Sequence, residues 1–238
     1  MGKNASRLLV GVGNNQHIHP NEELYKDLAV YSGQEIFQCK AVKLKVTLLL
    51  ENHSIWRRII VPLDITFEKF HKVLQICFGW QNYHLHEFYI NEEAKDELGI
   101  HINHSAFHPQ GYQPIVNLVS YEESLSYACE DIPCKMENGI KLAEYLPANM
   151  KYIYDFGDNW EHIVECEEII ADFNMNHPIC LDGAGAAPPE DVGGEYGFDE
   201  FLATIADSNH PDYHIISSWG RQQGYQEFDK EQINRLLK

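Results

Sequence analysis

The first clear pattern in the chain is an alternation of apolar and polar positions. Apolar residues occupy every second position from 44 to 50, which predicts a strand with one buried face. Residues 52–54 indicate a turn, and the β-branched run 55–61 predicts a second strand that pairs back as a hairpin. Pro62 ends this strand, because proline has no N–H to donate to a neighbouring strand.

A helical pattern follows the hairpin. Thr66 is a typical N-cap, Gly79 suits the end of a helix, and five apolar residues between them lie on one stripe: Phe67, Phe70, Leu74, Cys77 and Phe78. A third strand is predicted over residues 85–90. Residues 91–135 are polar and irregular, so we expect a long loop or an insertion there.

The second half of the chain mixes short strands, loops and helices. The predicted elements are a short helix at 140–146, strands at 151–156 and 162–170, a Gly/Pro/Ala-rich loop at 180–197, and helices at 198–206 and after the N-cap Asp229. A hairpin, a helix and later strands in one sheet predict an α+β fold. This arrangement resembles a β-grasp or a related α+β roll, with a C-terminal loop and helices. Residues 1–40 are predicted to be an N-terminal extension of a domain at 41–238.

The net charge of the chain limits the classes of molecule that it is expected to bind. The 238 residues carry 36 acidic and 18 basic side chains, a formal net charge of −18. Nucleic-acid binding is not expected, because it depends on basic side chains that neutralise phosphates. No run of 18 apolar residues and no signal peptide are apparent, so we expect a cytoplasmic protein without a membrane partner. No pattern indicates an oligomeric state.

Two histidines form the first candidate metal pair. His84 and His86 are two residues apart on a predicted strand and therefore point to one face. Imidazoles at this spacing can bind zinc or iron(II). Phe88 and Ile90 share that face, so the alternative is that both histidines form hydrogen bonds within a half-buried surface.

A polar turn and an acidic loop supply the other candidates. Asp155, Asp158 and His162 surround the turn between two strands, where they suit either a divalent cation or acid–base chemistry. The alternative is turn formation by backbone hydrogen bonds. Glu190 and Asp191 follow two prolines in a stiff loop. The loop suits presentation of carboxylates to a metal, a cationic ligand or a basic partner, or capping of the next helix.

Motifs in a fixed order carry a family resemblance. They are Trp80, His84-Leu85-His86-Glu87-Phe88, the segment from Tyr154 to His162, Cys180-Leu181-Asp182-Gly183, and the segment from Pro188 to Gly194. Together they resemble the Ri-plasmid ORF-3-like proteins, some of which are labelled as "resolvase" passengers of insertion sequences. The resemblance implies a compact α+β domain without an established activity. Many members carry a second cysteine where this chain has Ala187, so a metal site built on two cysteines is not expected.

Two functional hypotheses follow from these observations. The first is a non-catalytic accessory protein, of plasmid or mobile-element origin, whose acidic surface engages a basic protein or peptide. The alternative is a metal-dependent hydrolase, with phosphoesters as a possible substrate class. Its divalent ion (zinc, manganese or magnesium) would be bound among His84, His86, Asp155, Asp158, His162, Glu190 and Asp191. Trp80 and Trp160 are predicted to be packing or groove residues beside the site.

Overall fold

The computed structural model describes residues 39–92, 113–127 and 132–238, which form one mixed eight-stranded sheet and four α-helices. The strand order is β5-β4-β3-β6-β7-β1-β2-β8, antiparallel except between β4 and β5. The strands are β1 (Cys39–Leu48), β2 (Ile55–Pro62), β3 (His86–Glu92), β4 (Gln113–Val119), β5 (Cys134–Met136), β6 (Asn149–Tyr154), β7 (Trp160–Phe173) and β8 (Ile179–Ala184). The helices are α1 (Phe67–Phe78), α2 (Gly194–Ala206), α3 (Tyr213–Gln222) and α4 (Lys230–Leu236). The predicted α+β class is confirmed.

The predicted hairpin forms the centre of one half of the sheet. β1 pairs with β2 on one side and with β7 on the other. Val42, Leu44 and Val46 of β1 are completely buried, as their alternation predicts. The opposite face of the same strands carries ion pairs, including Lys43–Glu168 at 2.6 Å and Arg58–Glu167 at 2.8 Å.

Helix α1 begins and ends where the sequence predicts. Thr66 Oγ1 accepts a hydrogen bond from Lys69 N–H, and Gly79 closes the helix in a left-handed conformation with φ 77°. The predicted stripe is buried and contacts the sheet. Phe67 and Phe70 lie 5.2 and 5.7 Å from Phe88, between ring centroids. Residues of the sheet, α1, α2 and α4 share one hydrophobic core, and α3 packs against it through partly buried residues.

Three local predictions are corrected by the structure. The expected loop at 91–135 contains β4 and β5 in its described part, because the apolar run 115–119 pairs with β3. The expected loop at 180–197 begins within β8, which pairs with β2 at the edge of the sheet. The short helix expected at 140–146 is a single 3-10 turn, Leu142–Glu144. Helix α3 lacked a recognised signal in the sequence.

The proposed division of the chain stays a prediction. Residues 1–38 lie outside the described part, whereas Cys39 and Lys40 already belong to β1. In the described residues, each helix is too short or too polar to cross a membrane.

Arg57 joins α1 to the edge of the sheet from within the core. Its buried guanidinium donates to the carbonyl oxygens of Cys77 at 2.8 Å, Ala184 at 2.8 Å and Gly185 at 3.0 Å. The rings of Phe78 and Phe228 lie 5.1 and 4.6 Å from its central carbon. Burial lowers its pKa to about 10, so the group remains a cation at neutral pH.

We expect Arg57→Lys to lower the free energy of unfolding by about 2–4 kcal/mol, because an ammonium group cannot reach the separated carbonyl groups that the guanidinium bonds. The matched control is Arg58→Lys on the exposed face, where loss of a surface ion pair costs about 1 kcal/mol or less. Urea unfolding of the three proteins measures the difference. Equal losses for the two variants would contradict the structural role of Arg57.

Candidate functional site

Three chain segments meet where β3 begins and β6 ends. The peptide N–H of Asp155, after β6, donates to the carbonyl of Leu85, before β3, at 3.0 Å. The loop before α2 is attached to both segments. Trp80 Nε1 donates to the carbonyl of Pro188 at 2.9 Å, and Asp158 Oδ2 accepts from Gly193 N–H at 3.0 Å.

His84, Asp155 and Asp191 converge at this junction. His84 Nε2 lies 3.0 Å from Asp191 Oδ1 and 3.5 Å from Asp155 Oδ2. One ligand atom from each of the three residues lies within 4.8 Å of the other two. The 3.0 Å approach lacks hydrogen-bond geometry, and the buried His84 Nε2 has no hydrogen-bond partner among the described residues. Imidazole nitrogen and carboxylate oxygen together suit zinc and manganese.

Glu190 lies on the buried side of the cluster, next to His84. It is completely buried, and its Oε1 accepts hydrogen bonds from Gln81 N–H at 2.7 Å and the Tyr154 hydroxyl at 2.9 Å. Its Oε2 lies 3.8 Å from His84 Nε2 and has no hydrogen-bond partner within the described residues. Burial raises the pKa of Glu190, while its two donors and His84 oppose the shift. The unpartnered oxygen points towards the same space as the three ligand atoms.

The backbone at two of these residues adopts a conformation that is uncommon outside glycine. Asp155 has φ 55° and Asp191 has φ 56°, both in the left-handed region that aspartate tolerates better than most residues. Asp155 Oδ1 accepts from Gly157 N–H at 2.9 Å, which fixes one oxygen and leaves Oδ2 facing His84. Such conformations cost on the order of 1–3 kcal/mol each and are concentrated at functional sites.

The other predicted ligands lie apart from this cluster. His86 shares a face with Phe88, as its spacing predicts, but it pairs with buried Glu137 at 3.0 Å and stacks on His71 at 3.5 Å. Asp158 is engaged with the backbone of Gly193. The structure therefore brings together His84, Asp155, Glu190 and Asp191 of the seven candidates, and it gives His86, Asp158 and His162 other contacts.

Trp80 and Trp160 lie beneath the site. They are 6% and 1% exposed, so both pack as core residues and neither lines a surface groove. The ring of Trp80 stacks on Tyr154 with 4.9 Å between centroids, and Trp160 lies 6.4 Å from Trp80. This aromatic layer supports Tyr154, which in turn holds Glu190.

His162 is a core residue. It has no exposed surface, and its Nδ1 lies 3.1 Å from the carbonyl oxygen of Trp160 and 3.3 Å from that of Tyr152. Because both neighbours are acceptors, Nδ1 carries the proton. Burial lowers the pKa of His162 to about 3, and it has the same effect on His71. Both rings are therefore neutral at pH 7.

These two histidines predict a loss of stability in mild acid. A histidine that titrates near 6.5 when unfolded and near 3 when folded makes the unfolded chain bind more protons between those values. Each histidine therefore lowers the free energy of unfolding by about 1.4 kcal/mol for every pH unit below about 6.5. We expect His162→Asn to reduce this slope by that amount in urea unfolding at about pH 6 and about pH 4.5. Exposed His214→Asn is the control, and an unchanged slope in the His162 variant would contradict the assignment.

Sequence reasoning missed the residues that hold the site in place. Gln81 contributes a backbone N–H, which has no sequence signal, and Tyr154 was recognised as part of a predicted strand and of a family motif but not as a partner of Glu190. The alternation of β6 places Tyr152 and Tyr154 on the face that includes buried Met150. That periodicity indicates that Tyr154 is buried, but it does not identify Glu190 as its partner.

Comparison with known proteins identifies the family. Residues 40–236 match the family described as plasmid pRiA4b ORF-3-like protein. The chain belongs to this family. It is 33% identical over 178 residues to the uncharacterized protein y4hQ of Sinorhizobium fredii, a match that covers 75% of this chain and 79% of that protein. The predicted family resemblance is thereby confirmed.

A solved structure shares the fold of this plasmid ORF-3-like protein. It is the crystal structure of MM3350, a protein of unknown function from Methanosarcina mazei Go1, with a TM-score of 0.59 and 32% sequence identity. The match covers 82% of this chain and 97% of that chain. The names of these two relatives give no activity.

Proposed function

We propose that this protein is a metal-dependent hydrolase. In this proposal His84, Asp155 and Asp191 bind a divalent ion, and Glu190 accepts a proton from the water that the ion activates. The observation that carries the proposal is Glu190 Oε2, a buried oxygen without a hydrogen-bond partner in the described part of the chain, 3.8 Å from His84 Nε2 of the ligand cluster.

The charge of the cluster supports a bound cation. Asp155 and Glu190 are buried carboxylates, and Asp191 approaches the same imidazole. Burying carboxylates close together is costly unless a positive charge compensates them. One histidine offers at most a single positive charge, whereas a divalent ion supplies two and accepts several oxygen ligands. The nitrogen ligand favours zinc or manganese over magnesium.

The ligand count supports catalysis over a purely structural ion. Catalytic zinc sites have three protein ligands and an open position for water, whereas structural sites are closed by four. His84 and Asp191 have side chains that are 28% and 54% exposed, so solvent reaches one side of the cluster. A bound zinc ion lowers the pKa of its water to about 7, and a nearby carboxylate can then remove the proton.

The hypothesis of a basic partner is weakened at this loop. One of its supports was a stiff loop that presents Glu190 and Asp191 together, but Glu190 is completely buried and the accessible carboxylate of the two is Asp191. Binding of a basic protein elsewhere on the acidic surface stays a prediction that rests on the net charge of −18.

We expect the purified protein to bind about one zinc or manganese ion, and His84→Ala, Asp155→Asn and Asp191→Asn to weaken binding by about 10-fold or more each. Asparagine tolerates the left-handed backbone at both aspartate positions, so these variants test the ligand charge and not the fold. Isothermal titration calorimetry with elemental analysis measures affinity and stoichiometry.

The matched control is Asp158→Asn, which removes a carboxylate from the same turn while its side-chain oxygen can still accept from Gly193 N–H. It should leave the metal affinity within about twofold of the parent, because Asp158 is not a proposed ligand. Stoichiometric binding that survives the loss of His84 would refute the assigned site.

Glu190→Gln should separate metal binding from catalysis. We expect the metal to bind within about 10-fold of the parent affinity, while hydrolysis of 4-nitrophenyl acetate falls by about 100-fold or more, because glutamine cannot accept the proton. Steady-state rates of the metal-loaded parent and variant, corrected for the metal alone, measure the effect. A variant that retains the parental rate would show that Glu190 is not the base.

A further inference from the structure

We infer that the metal-loaded site selects uncharged acyl groups, such as amides and esters, over phosphoryl groups. This inference rests on the proposed function and names its substrate class. It departs from the expectation of phosphoesters that the sequence left open.

The first argument is the charge left after an ion binds. Three carboxylates, those of Asp155, Glu190 and Asp191, surround one imidazole, and together they would bring three negative charges to a bound divalent ion. A divalent ion leaves the assembled site with a net charge of about −1. Because Asp155 and Glu190 are buried, solvent and salt screen their charges less than they screen those at the surface. A phosphodiester or phosphomonoester would bring further negative charge into this field.

The second argument is the position of the basic side chains. Sites that transfer phosphoryl groups place arginine, lysine or additional metal ions around the phosphate. Among the described residues, the basic group that approaches the three carboxylates is the imidazole of His84. Five basic side chains of the sheet are engaged elsewhere: Lys43, Lys45, Arg58 and Lys151 pair with glutamates of β7, and Arg57 binds backbone carbonyls in the core.

An acyl group avoids this electrostatic penalty. A carbonyl oxygen reaches the ion as a neutral dipole, and negative charge develops on it only as water adds, where the ion stabilises it. Glu190 Oε2 takes one proton from the attacking water, whose oxygen bonds to the carbonyl carbon. The carbon–nitrogen or carbon–oxygen bond then breaks, and the proton passes from Glu190 to the leaving amine or alcohol. The products are a carboxylic acid and that amine or alcohol.

The hydrogen bonds of Glu190 fit this role. Gln81 N–H and the Tyr154 hydroxyl both bind Oε1, so they fix the carboxylate while leaving Oε2 available as the proton acceptor. The net charge of −18 acts in the same direction as the local field, because it lowers the concentration of anions near the surface.

The test uses the full chain loaded with cobalt(II), whose visible spectrum reports new ligands at the metal. Two probes are titrated at low ionic strength and pH 7: acetohydroxamic acid, which is uncharged in solution, and inorganic phosphate. We expect the hydroxamic acid to bind at least about 10-fold more tightly than phosphate, because its proton passes to Glu190 and no net charge enters the site. Phosphate binding of equal or greater affinity would overturn the inference.

In the same assay, Glu190→Gln should change the affinities for the two probes in opposite directions. Removal of one negative charge and of the proton acceptor should strengthen phosphate binding and weaken hydroxamate binding. Asp158→Asn removes a charge that is not in the cluster and should change both affinities by less than Glu190→Gln does. If Glu190→Gln changed the affinities for phosphate and hydroxamate in the same direction, the charge argument would be wrong.

The remaining outcomes separate the two proposals. If cobalt binds but neither probe alters its spectrum, the ion has no open position, and the inference fails while metal binding stands. If no cobalt is taken up, the proposed function itself fails before any probe is added.

Discussion

The hydrogen bonds to Glu190 are the interaction on which the rest of the site depends. This carboxylate is completely buried, yet it belongs to a loop more than 100 residues away in sequence from Gln81, whose backbone N–H it accepts. The Tyr154 hydroxyl provides the second bond. A buried carboxylate without such donors would be strongly destabilising, so these bonds fix the loop before α2 against β3 and β6.

The aromatic layer of Trp80, Tyr154 and Trp160 holds the groups that form these bonds in position. Trp80 stacks on Tyr154 and donates to the carbonyl of Pro188, so one side chain supports the tyrosine and also anchors the loop. Asp158 secures the other end of the loop through Gly193. His84, Asp155 and Asp191 therefore lie at a junction fixed on several sides. Such a junction can hold polar groups in arrangements that isolated turns would not maintain.

The buried histidines show how similar residues acquire different roles in one fold. His84 precedes β3, outside the strand predicted for it, and lies at the solvent side of the junction, whereas His86, the first residue of β3, is enclosed by His71 and Glu137. His162 is deeper still and bonds only backbone carbonyls in the described structure. Spacing along the chain placed all three near β3, β6 and β7, but the tertiary contacts of each ring decide which of them reaches Asp155, Glu190 and Asp191.

Local patterns in the sequence determined the hairpin, helix α1 with its caps, and the buried face of β1, because alternation and helical spacing depend on near neighbours. They also identified the His84 segment, the Asp155 turn and the Glu190 loop as polar segments with unusual chemistry. The tertiary structure alone decided that β4 and β8 join the sheet, that Glu190 is buried, and that His86 and His162 lie apart from the cluster. Those outcomes depend on strand order and on hydrogen bonds between residues far apart in the chain, which no periodicity of the sequence encodes.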